Sequence, residues 1–166
     1  MSKHPISADS GAILDLLLAR HIDFILVGGV AAISHGSTSN THDVDIVHSR
    51  DPINVEKIGG VLTELDAFFR TDLSGRRIVP GKDHLQGHGQ LLLTTRHGPL
   101  DLLCQLHDGR GYDELLPHSM VMDLSGQSLR LLDIPTLIEV KSAAGRTKDI
   151  LVVAELLALM DRQIRG

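Results

Sequence analysis

One stretch of the sequence, residues 24–47, constrains the fold more than any other. It begins with an apolar run, residues 24–27, and the glycine pair 28–29. Residues 30–35 have a helical composition, residues 36–41 are small and polar, and residues 43–47 alternate between polar and apolar. Apolar β-branched and alternating runs are typical of strands, and small polar runs are typical of loops. The stretch therefore predicts a strand, a glycine turn, a short helix, a loop and a second strand.

Two acidic residues in this stretch carry candidate chemistry. The period-two alternation puts Asp43 and Asp45 on one face of the second strand and Val44 on the other. Like charges on one face repel, and a divalent cation such as Mg²⁺, which prefers carboxylate oxygens, removes the conflict. Gly28 and Gly29 lack Cβ atoms, so a phosphate can approach the start of the following helix closely.

Composition limits the class of protein. The 166 residues fit one domain, 1–166, and because 42% are hydrophobic but only 2% aromatic, the core must consist of Leu, Val, Ile and Ala. A net charge of −5 gives no strong footprint for long nucleic acid. The single cysteine, Cys104, excludes an intrachain disulfide and is best interpreted as a small buried residue.

Targeting signals are not evident, and the expected location is cytoplasmic. The first ten residues lack the apolar centre of a signal peptide. No apolar run approaches the roughly 18–20 residues of a membrane span, so no membrane partner is expected.

The remaining chain predicts an α+β fold with a mixed β-sheet flanked by helices. Helical spacing or helix-start signals occur over residues 10–21 (capped by Ser10), 51–66 (capped by Asp51), 82–85, 112–116, 135–144 and 147–160. Strand patterns occur over residues 90–95, 99–104, 120–122 and 129–132. The core is expected over about residues 10–133, followed by a C-terminal helix pair over about 135–161.

Asp101 lies inside an otherwise apolar strand, between Leu100 and Leu102. A carboxylate in a central strand is costly unless its charge is satisfied. Either the charge of Asp101 is satisfied within a central strand, or its strand is an edge strand with Asp101 facing water.

These features together resemble the nucleotidyltransferase superfamily related to DNA polymerase β. Its signature is Gly-Gly or Gly-Ser followed by Asp-x-Asp at the spacing that separates Gly29 from Asp43. A second resemblance covers the end of the chain, at Leu137, Ile138, Lys141, Gly145, Arg146, Lys148 and Asp149. This end segment is similar to that of the small stand-alone prokaryotic-type members of the superfamily, which include antibiotic-modifying and abortive-infection-type proteins.

The resemblance implies transfer of a nucleoside monophosphate from an NTP such as ATP to an acceptor hydroxyl, with release of pyrophosphate. It implies two Mg²⁺ ions, or Mn²⁺, held by the catalytic carboxylates Asp43, Asp45 and Asp101, with Asp101 accepting the hydroxyl proton. Residues expected to hold the nucleotide are Gly28, Gly29, Ser37, Thr38, Ser39, Lys141 and Lys148.

The helix pair is expected to form one wall of the nucleotide cleft. Its core-facing residues should be Ile138, Leu151, Val152, Leu156 and Leu159. That pattern would leave Lys141, Arg146 and Lys148 near the turn at Gly145, reaching outward toward phosphate. The alternative for these three cations is an ordinary role at helix ends, and Asp149 is expected to be a helix-start or ion-pairing residue.

One departure from the family keeps two functions open. Family members often carry an Arg just before the Thr that precedes Asp-x-Asp, where this chain has Ser39 and Asn40. The first function is an Mg²⁺-dependent nucleotidyltransferase that acts on a small molecule, a protein or an RNA end. The second is a non-catalytic or regulatory relative, such as one partner of a toxin–antitoxin pair, which binds a nucleotide or another protein. The expected protein partner is either a second copy of the chain, in a homodimer, or the other member of a toxin–antitoxin pair.

Overall fold

A computed structural model describes residues 6–38, 40–124 and 126–166 of the chain. In these ranges the helices and strands are, in order, α1 (Ala8–Ala19), β1 (Phe24–Val27), α2 (Gly28–His35), β2 (Val44–His48), α3 (Pro52–Glu64), β3 (Phe68–Phe69), α4 (Lys82–Leu85), β4 (Gln90–Thr95), β5 (Gly98–Leu103), α5 (Tyr112–Leu115), β6 (Ser119–Leu124), β7 (Gln127–Leu132), α6 (Ile134–Ala144) and α7 (Thr147–Arg165). A short 3₁₀ turn, Leu116–His118, follows α5.

The strands form one seven-stranded sheet in the order β3-β4-β5-β2-β1-β7-β6. β2 pairs with β5 and β1 pairs with β7 in parallel, while the other neighbours are antiparallel. This mixed sheet with its helices confirms the α+β prediction. Because β5 lies between β4 and β2, the alternative that placed Asp101 on an edge strand is wrong.

The centre of the sheet is an aliphatic core. All four residues of β1 are buried, and Val44, Ile46 and Val47 of β2 are fully buried. Full burial of such a side chain contributes roughly 1.5–3 kcal/mol. The core thus consists of the Leu, Val, Ile and Ala that the low aromatic content required, with Phe24 as one exception.

Side-chain caps fix where two of the helices begin. Asp51 caps α3 as predicted, accepting a hydrogen bond from the Ile53 amide at 3.0 Å. The predicted cap of the first helix is wrong: α1 starts earlier, and Ser7 accepts from the Ser10 amide at 3.2 Å. Ser10 lies inside the first turn and is buried.

The C-terminal helix pair forms as predicted, but one residue that was expected to face the core faces solvent. Gly145 ends α6 in the left-handed conformation at φ 64°, and α7 then packs against α6 and α2. Val152 and Leu156 of α7 are buried, but Leu151 is 74% exposed. Adjacent helix positions differ by about 100°, so one narrow buried stripe cannot include both Leu151 and Val152.

In the described part of the chain, no helix combines the length and apolarity needed to cross a membrane.

Candidate active site

Two carboxylates lie side by side at the centre of the sheet. The parallel register of β2 and β5 places Asp45 directly opposite Asp101. The preceding opposed pair, Val44 and Leu100, is fully buried. Because a one-residue slip would move these apolar side chains to the other face, the core fixes the register. The register in turn fixes the carboxylate pair.

The pairing changes the acidity of Asp45. Burial, followed by the hydrogen bond and the negative charge of Asp101, raises the pKa of Asp45 to about 8. The charge of Asp43 adds to this shift, and the positive charge of Lys141 opposes it. A cation bound beside Asp45 would favour its charged form and so oppose this shift.

Arg70 satisfies the second carboxylate, and sequence reasoning did not identify this residue. Its Nη1 and Nη2 atoms donate to Asp101 Oδ1 at 2.5 Å and to Oδ2 at 3.2 Å. Nη1 also donates to the Leu93 carbonyl at 2.9 Å. Arg70 directly follows β3, a two-residue strand that carries no period-two signal. The contact joins residues far apart in sequence, so no local pattern could have predicted it.

Asp43 does not lie on the strand where the alternation predicted it. β2 begins at Val44, and Asp43 is an exposed residue just before it, with its amide donating to Thr41 Oγ1 at 3.4 Å. β2 begins to pair with β5 only at Val44, opposite Leu100. The strand start predicted from the alternation was therefore one residue too early. The charge of Asp43 still acts on Asp45, as its effect on the Asp45 pKa indicates.

The glycine pair permits close packing at the start of α2. Gly28 has φ 71°, and a Cβ atom there would overlap the Asp45 carboxylate. A Cβ atom on Gly29 would lie 2.6 Å from Thr41 Cγ2. Glycine is therefore required at both positions to let Asp45 and Thr41 approach the first turn of α2.

Two of the predicted nucleotide-binding hydroxyls contact a residue of α7. Glu155 accepts hydrogen bonds from the Thr38 amide at 2.7 Å and the Thr38 hydroxyl at 2.8 Å, and from the Ser37 hydroxyl at 3.4 Å. The Thr38 amide bond is the main cause that lowers the pKa of Glu155. Three donors thus surround one carboxylate, a role for Glu155 that the sequence did not suggest. Ser39 lies outside the described residues.

The three candidate cations differ in their surroundings. Lys141 has a side chain only 8% exposed, and its Nζ lies 3.6 Å from Asp149 Oδ1. Arg146 Nε donates to the other oxygen of Asp149 at 2.7 Å. Lys148 is exposed. The prediction that all three cations reach outward is thus wrong for Lys141, because the buried carboxylate of Asp149 holds its side chain inward. Asp149 is an ion-pairing residue, which is one of the two roles predicted for it.

The titration of Asp149 reflects these contacts. Burial acts to raise its pKa, but the hydrogen bond from Arg146 and the charges of Lys141 and Arg146 outweigh it and lower the pKa. Burial lowers the pKa of Lys141, and the charge of Asp149 opposes that effect. Lys141, Arg146 and Asp149 thus form a charge cluster that joins α6 to α7.

We expect Lys141→Ala to destabilise the protein by about 1–3 kcal/mol, because it removes one of two cations from a nearly buried carboxylate. The exposed Lys148→Ala variant is the control and should change stability by no more than about 0.5 kcal/mol. Chemical denaturation of both variants measures the difference. Equal stability of the two variants would show that Lys141 does not support Asp149.

A cleft of about 560 Å³ opens beside the carboxylate pair. Its lining includes Gly28, Asp45, Asp101 and Lys141. The prediction that the helix pair forms one wall holds only for α6, since no residue of α7 is among those that line the cleft. The apolar lining comes from Val27, Leu103, Leu106, Leu137, Val140, Ala143 and Ala144. A concave site with apolar walls and a few convergent polar groups is typical of small-molecule binding.

The structure brings only part of the predicted site together. Of the residues that the sequence predicted, Gly28, Asp45, Asp101, Lys141 and Arg146 line the cleft. Gly29 adjoins them in the first turn of α2, and Asp43 precedes β2. Ser37 and Thr38 lie against α7 through Glu155. Lys148 is not among the residues that line the cleft.

The carboxylates fit a hard divalent cation in chemistry, although they do not form a complete ligand set. Within residues 6–38, 40–124 and 126–166, no three His, Cys, Asp or Glu side chains are grouped closely enough to hold a metal ion. Asp45 and Asp101 are nevertheless adjacent, and the negative charge of Asp101 adds to the burial that raises the pKa of Asp45. Carboxylate oxygens that repel one another are suitable ligands for Mg²⁺ or Mn²⁺.

Solved structures with the same architecture are nucleotidyltransferases. The lincosamide antibiotic adenylyltransferase LnuA, solved with lincomycin bound, matches with a TM-score of 0.65 and 13% identity over 94% of this chain and 99% of that chain. ANT(2″)-Ia, in complex with adenylyl-2″-tobramycin, matches with a TM-score of 0.57 and 14% identity over 96% of this chain and 100% of that chain.

A third match is an antigenic nucleotidyltransferase-like protein from Paracoccidioides brasiliensis, with a TM-score of 0.55 and 19% identity over 94% of this chain and 79% of that chain. No family model matches the chain. The protein therefore has the nucleotidyltransferase fold, which confirms the fold that the sequence resemblance implied.

Proposed function

We propose that this protein is a nucleotidyltransferase that moves a nucleoside monophosphate from an NTP to a hydroxyl group of a small molecule. The observation that carries the proposal is the pair Asp45 and Asp101, held side by side at a cleft that also contains Gly28 at the start of α2. The shared nucleotidyltransferase fold supports it.

The proposed transfer is a displacement at the α-phosphorus. The acceptor oxygen bonds to the α-phosphorus, the bond from that atom to the oxygen bridging to the β-phosphate breaks, and pyrophosphate leaves. The acceptor proton passes to Asp101. Mg²⁺ or Mn²⁺, when held by Asp43, Asp45 and Asp101, would neutralise charge on the phosphate oxygens.

The start of α2 is the proposed position of the triphosphate. Gly28 and Gly29 present backbone amides there without Cβ atoms, and a helix N-terminus attracts anions. Ser37 and Thr38 would exchange the Glu155 carboxylate for phosphate oxygens, because both are anions that accept hydrogen bonds. The roles of Ser39 and Lys148 stay proposals from the sequence, and Lys141 would add positive charge at the cleft wall.

A small molecule is the proposed acceptor class. The cleft volume of about 560 Å³ and its apolar wall suit a compact ligand, and the chain's net charge of −5 does not suit a long nucleic acid. The matched adenylyltransferases are solved with lincomycin and with adenylyl-2″-tobramycin, both of which involve small-molecule acceptors.

A second candidate function is a non-catalytic or regulatory protein of this fold, such as one partner of a toxin–antitoxin pair. The observation that favours it is that internal ion pairs and hydrogen bonds already occupy Asp101, Ser37 and Thr38. Such a protein would retain the fold without turnover.

A transfer screen distinguishes the two functions. Each of the four NTPs, labelled with ³²P at the α-phosphate, is incubated with Mg²⁺ and a panel of hydroxylated small molecules, and products are separated by chromatography. Labelled acceptor together with released pyrophosphate would support the enzyme. The absence of label transfer for every NTP, with no nucleotide-dependent change in melting temperature, would favour the second function.

A further inference from the structure

Arg70 holds the acceptor-side carboxylate of the proposed site by both of its oxygens. The two guanidinium nitrogens reach Asp101 Oδ1 and Oδ2 at 2.5 and 3.2 Å. A planar guanidinium matches a carboxylate in this two-point geometry, which makes the pair specific as well as strong. Neither oxygen of Asp101 is therefore without a cationic partner.

The backbone around Arg70 fixes the position of this guanidinium. The Arg70 amide donates to the Leu92 carbonyl at 3.1 Å, and the preceding residue, Phe69, pairs with Leu93 of β4. Leu92 lies opposite Asp101 in the β4–β5 register. The side chain thus spans one strand, and its third hydrogen bond, to the Leu93 carbonyl, holds it there.

The two halves of the carboxylate pair are therefore unequal. Asp101 has a fixed positive partner, whereas Asp45 faces Asp101 and Gly28 and has no ion pair that the structure describes within 4.0 Å. A divalent ion placed on Asp101 would also lie next to the guanidinium and be repelled by it. On the Asp43 and Asp45 side, the positive charge of Lys141 also acts on Asp45, but Lys141 is paired with Asp149 and forms no described ion pair with Asp45. A divalent ion placed on this side therefore meets two carboxylates that no described guanidinium holds directly.

We propose that Arg70 takes the place of the acceptor-side metal ion, so that the site binds one divalent ion, on the Asp43 and Asp45 side, instead of two. Arg70 then acts as a positioning residue that holds Asp101 toward the acceptor hydroxyl. This inference rests on the proposed function and changes its metal stoichiometry.

The test counts Mn²⁺ ions per chain by electron paramagnetic resonance titration in the presence of α,β-methylene-ATP. Wild-type protein should bind one Mn²⁺ per chain, counted above a nucleotide-only blank. Arg70→Gln, which removes the charge but keeps hydrogen-bonding atoms, should bind two. Arg70→Lys loses the two-point geometry but should stay at one, because its retained positive charge still repels a second divalent ion at Asp101.

Arg96→Gln, at an exposed position in the turn between β4 and β5, is the matched control and should not change the count. Circular dichroism melting shows whether each variant is folded, and the wild-type count tests the proposal even if Arg70→Gln does not fold. Two ions in the wild type, or one ion in a folded Arg70→Gln, would overturn the proposal. No Mn²⁺ bound above the blank in the wild type would instead reject the proposed function itself.

Discussion

We expect Asp45→Asn to reduce nucleotidyl transfer by about 10²–10³-fold or more, while the metal-free protein stays folded and is as stable as the wild type or more stable at pH 8. The loss follows because an amide neither carries the charge nor provides the second anionic oxygen that a cation needs. The fold is kept because Asp45 and Asp101 repel each other, so removal of one charge relieves strain in the metal-free state.

The same variant should change how stability depends on pH. The pKa of Asp45 is about 8 in the folded protein and 3.8 in the unfolded chain, so the folded state holds the proton more tightly. Between about pH 4 and pH 8 the folded state therefore binds more protons, and this residue makes stability fall as pH rises, by at most about 1.4 kcal/mol per pH unit. Asp45→Asn removes that contribution.

The measurement is the free energy of unfolding from pH 5 to pH 9 with a chelator present. His48 acts in the opposite sense, since burial lowers its pKa and stability rises as the unfolded histidine loses its proton. The informative quantity is thus the difference between wild type and variant, with exposed Asp15→Asn as the control. A large drop in stability of metal-free Asp45→Asn would mean that Asp45 supports the fold as an ion-pair partner.

We expect Gly28→Ala to destabilise the fold by about 2–5 kcal/mol. The left-handed backbone at φ 71° costs about 1–2 kcal/mol for an alanine, and overlap with the Asp45 carboxylate adds about 1–3 kcal/mol. Denaturant unfolding at pH 7 measures this loss. Because the new methyl group pushes on Asp45, transfer activity should fall in the same variant.

Two other glycines separate the causes of that loss. Gly145→Ala has a left-handed backbone at φ 64°, and no atom of the described residues lies within 4 Å of the new methyl, so it should show only the backbone cost. Gly60→Ala, inside α3 with open space, should stabilise by about 0.5–1 kcal/mol. Equal losses for Gly28→Ala and Gly145→Ala would show that Asp45 does not pack against Gly28.

The parts of the fold that the sequence predicted are those with strong local signals. The alternating and apolar runs located β2, β4 and β5 to within a residue or two. The position of Asp101 beside the Asp-x-Asp strand was implied by the family resemblance, and the register of β2 and β5 agrees with it. Pro, Gly and Asp at helix ends located α3 and α6. These features depend on neighbours within a few positions, which a single sequence contains.

The errors and omissions depend on tertiary contacts. The two-residue β3 strand exists only because it pairs with β4, and the contacts of Arg70 with Asp101 and of Glu155 with Thr38 join distant segments. The burial of Lys141 likewise depends on Asp149 from the next helix. No periodicity or spacing encodes such pairs, so the residues that complete the site required the structure.

The central claim is that the cleft beside Asp45 and Asp101 is the cation and triphosphate site, with the cation held at Asp45. The most direct measurement is anomalous diffraction from crystals soaked with Mn²⁺ and α,β-methylene-ATP. The account predicts Mn²⁺ density at the Asp45 carboxylate, with the triphosphate against the first turn of α2. A nucleotide bound away from Gly28, or the absence of Mn²⁺ at Asp45 when the nucleotide is bound, would contradict it.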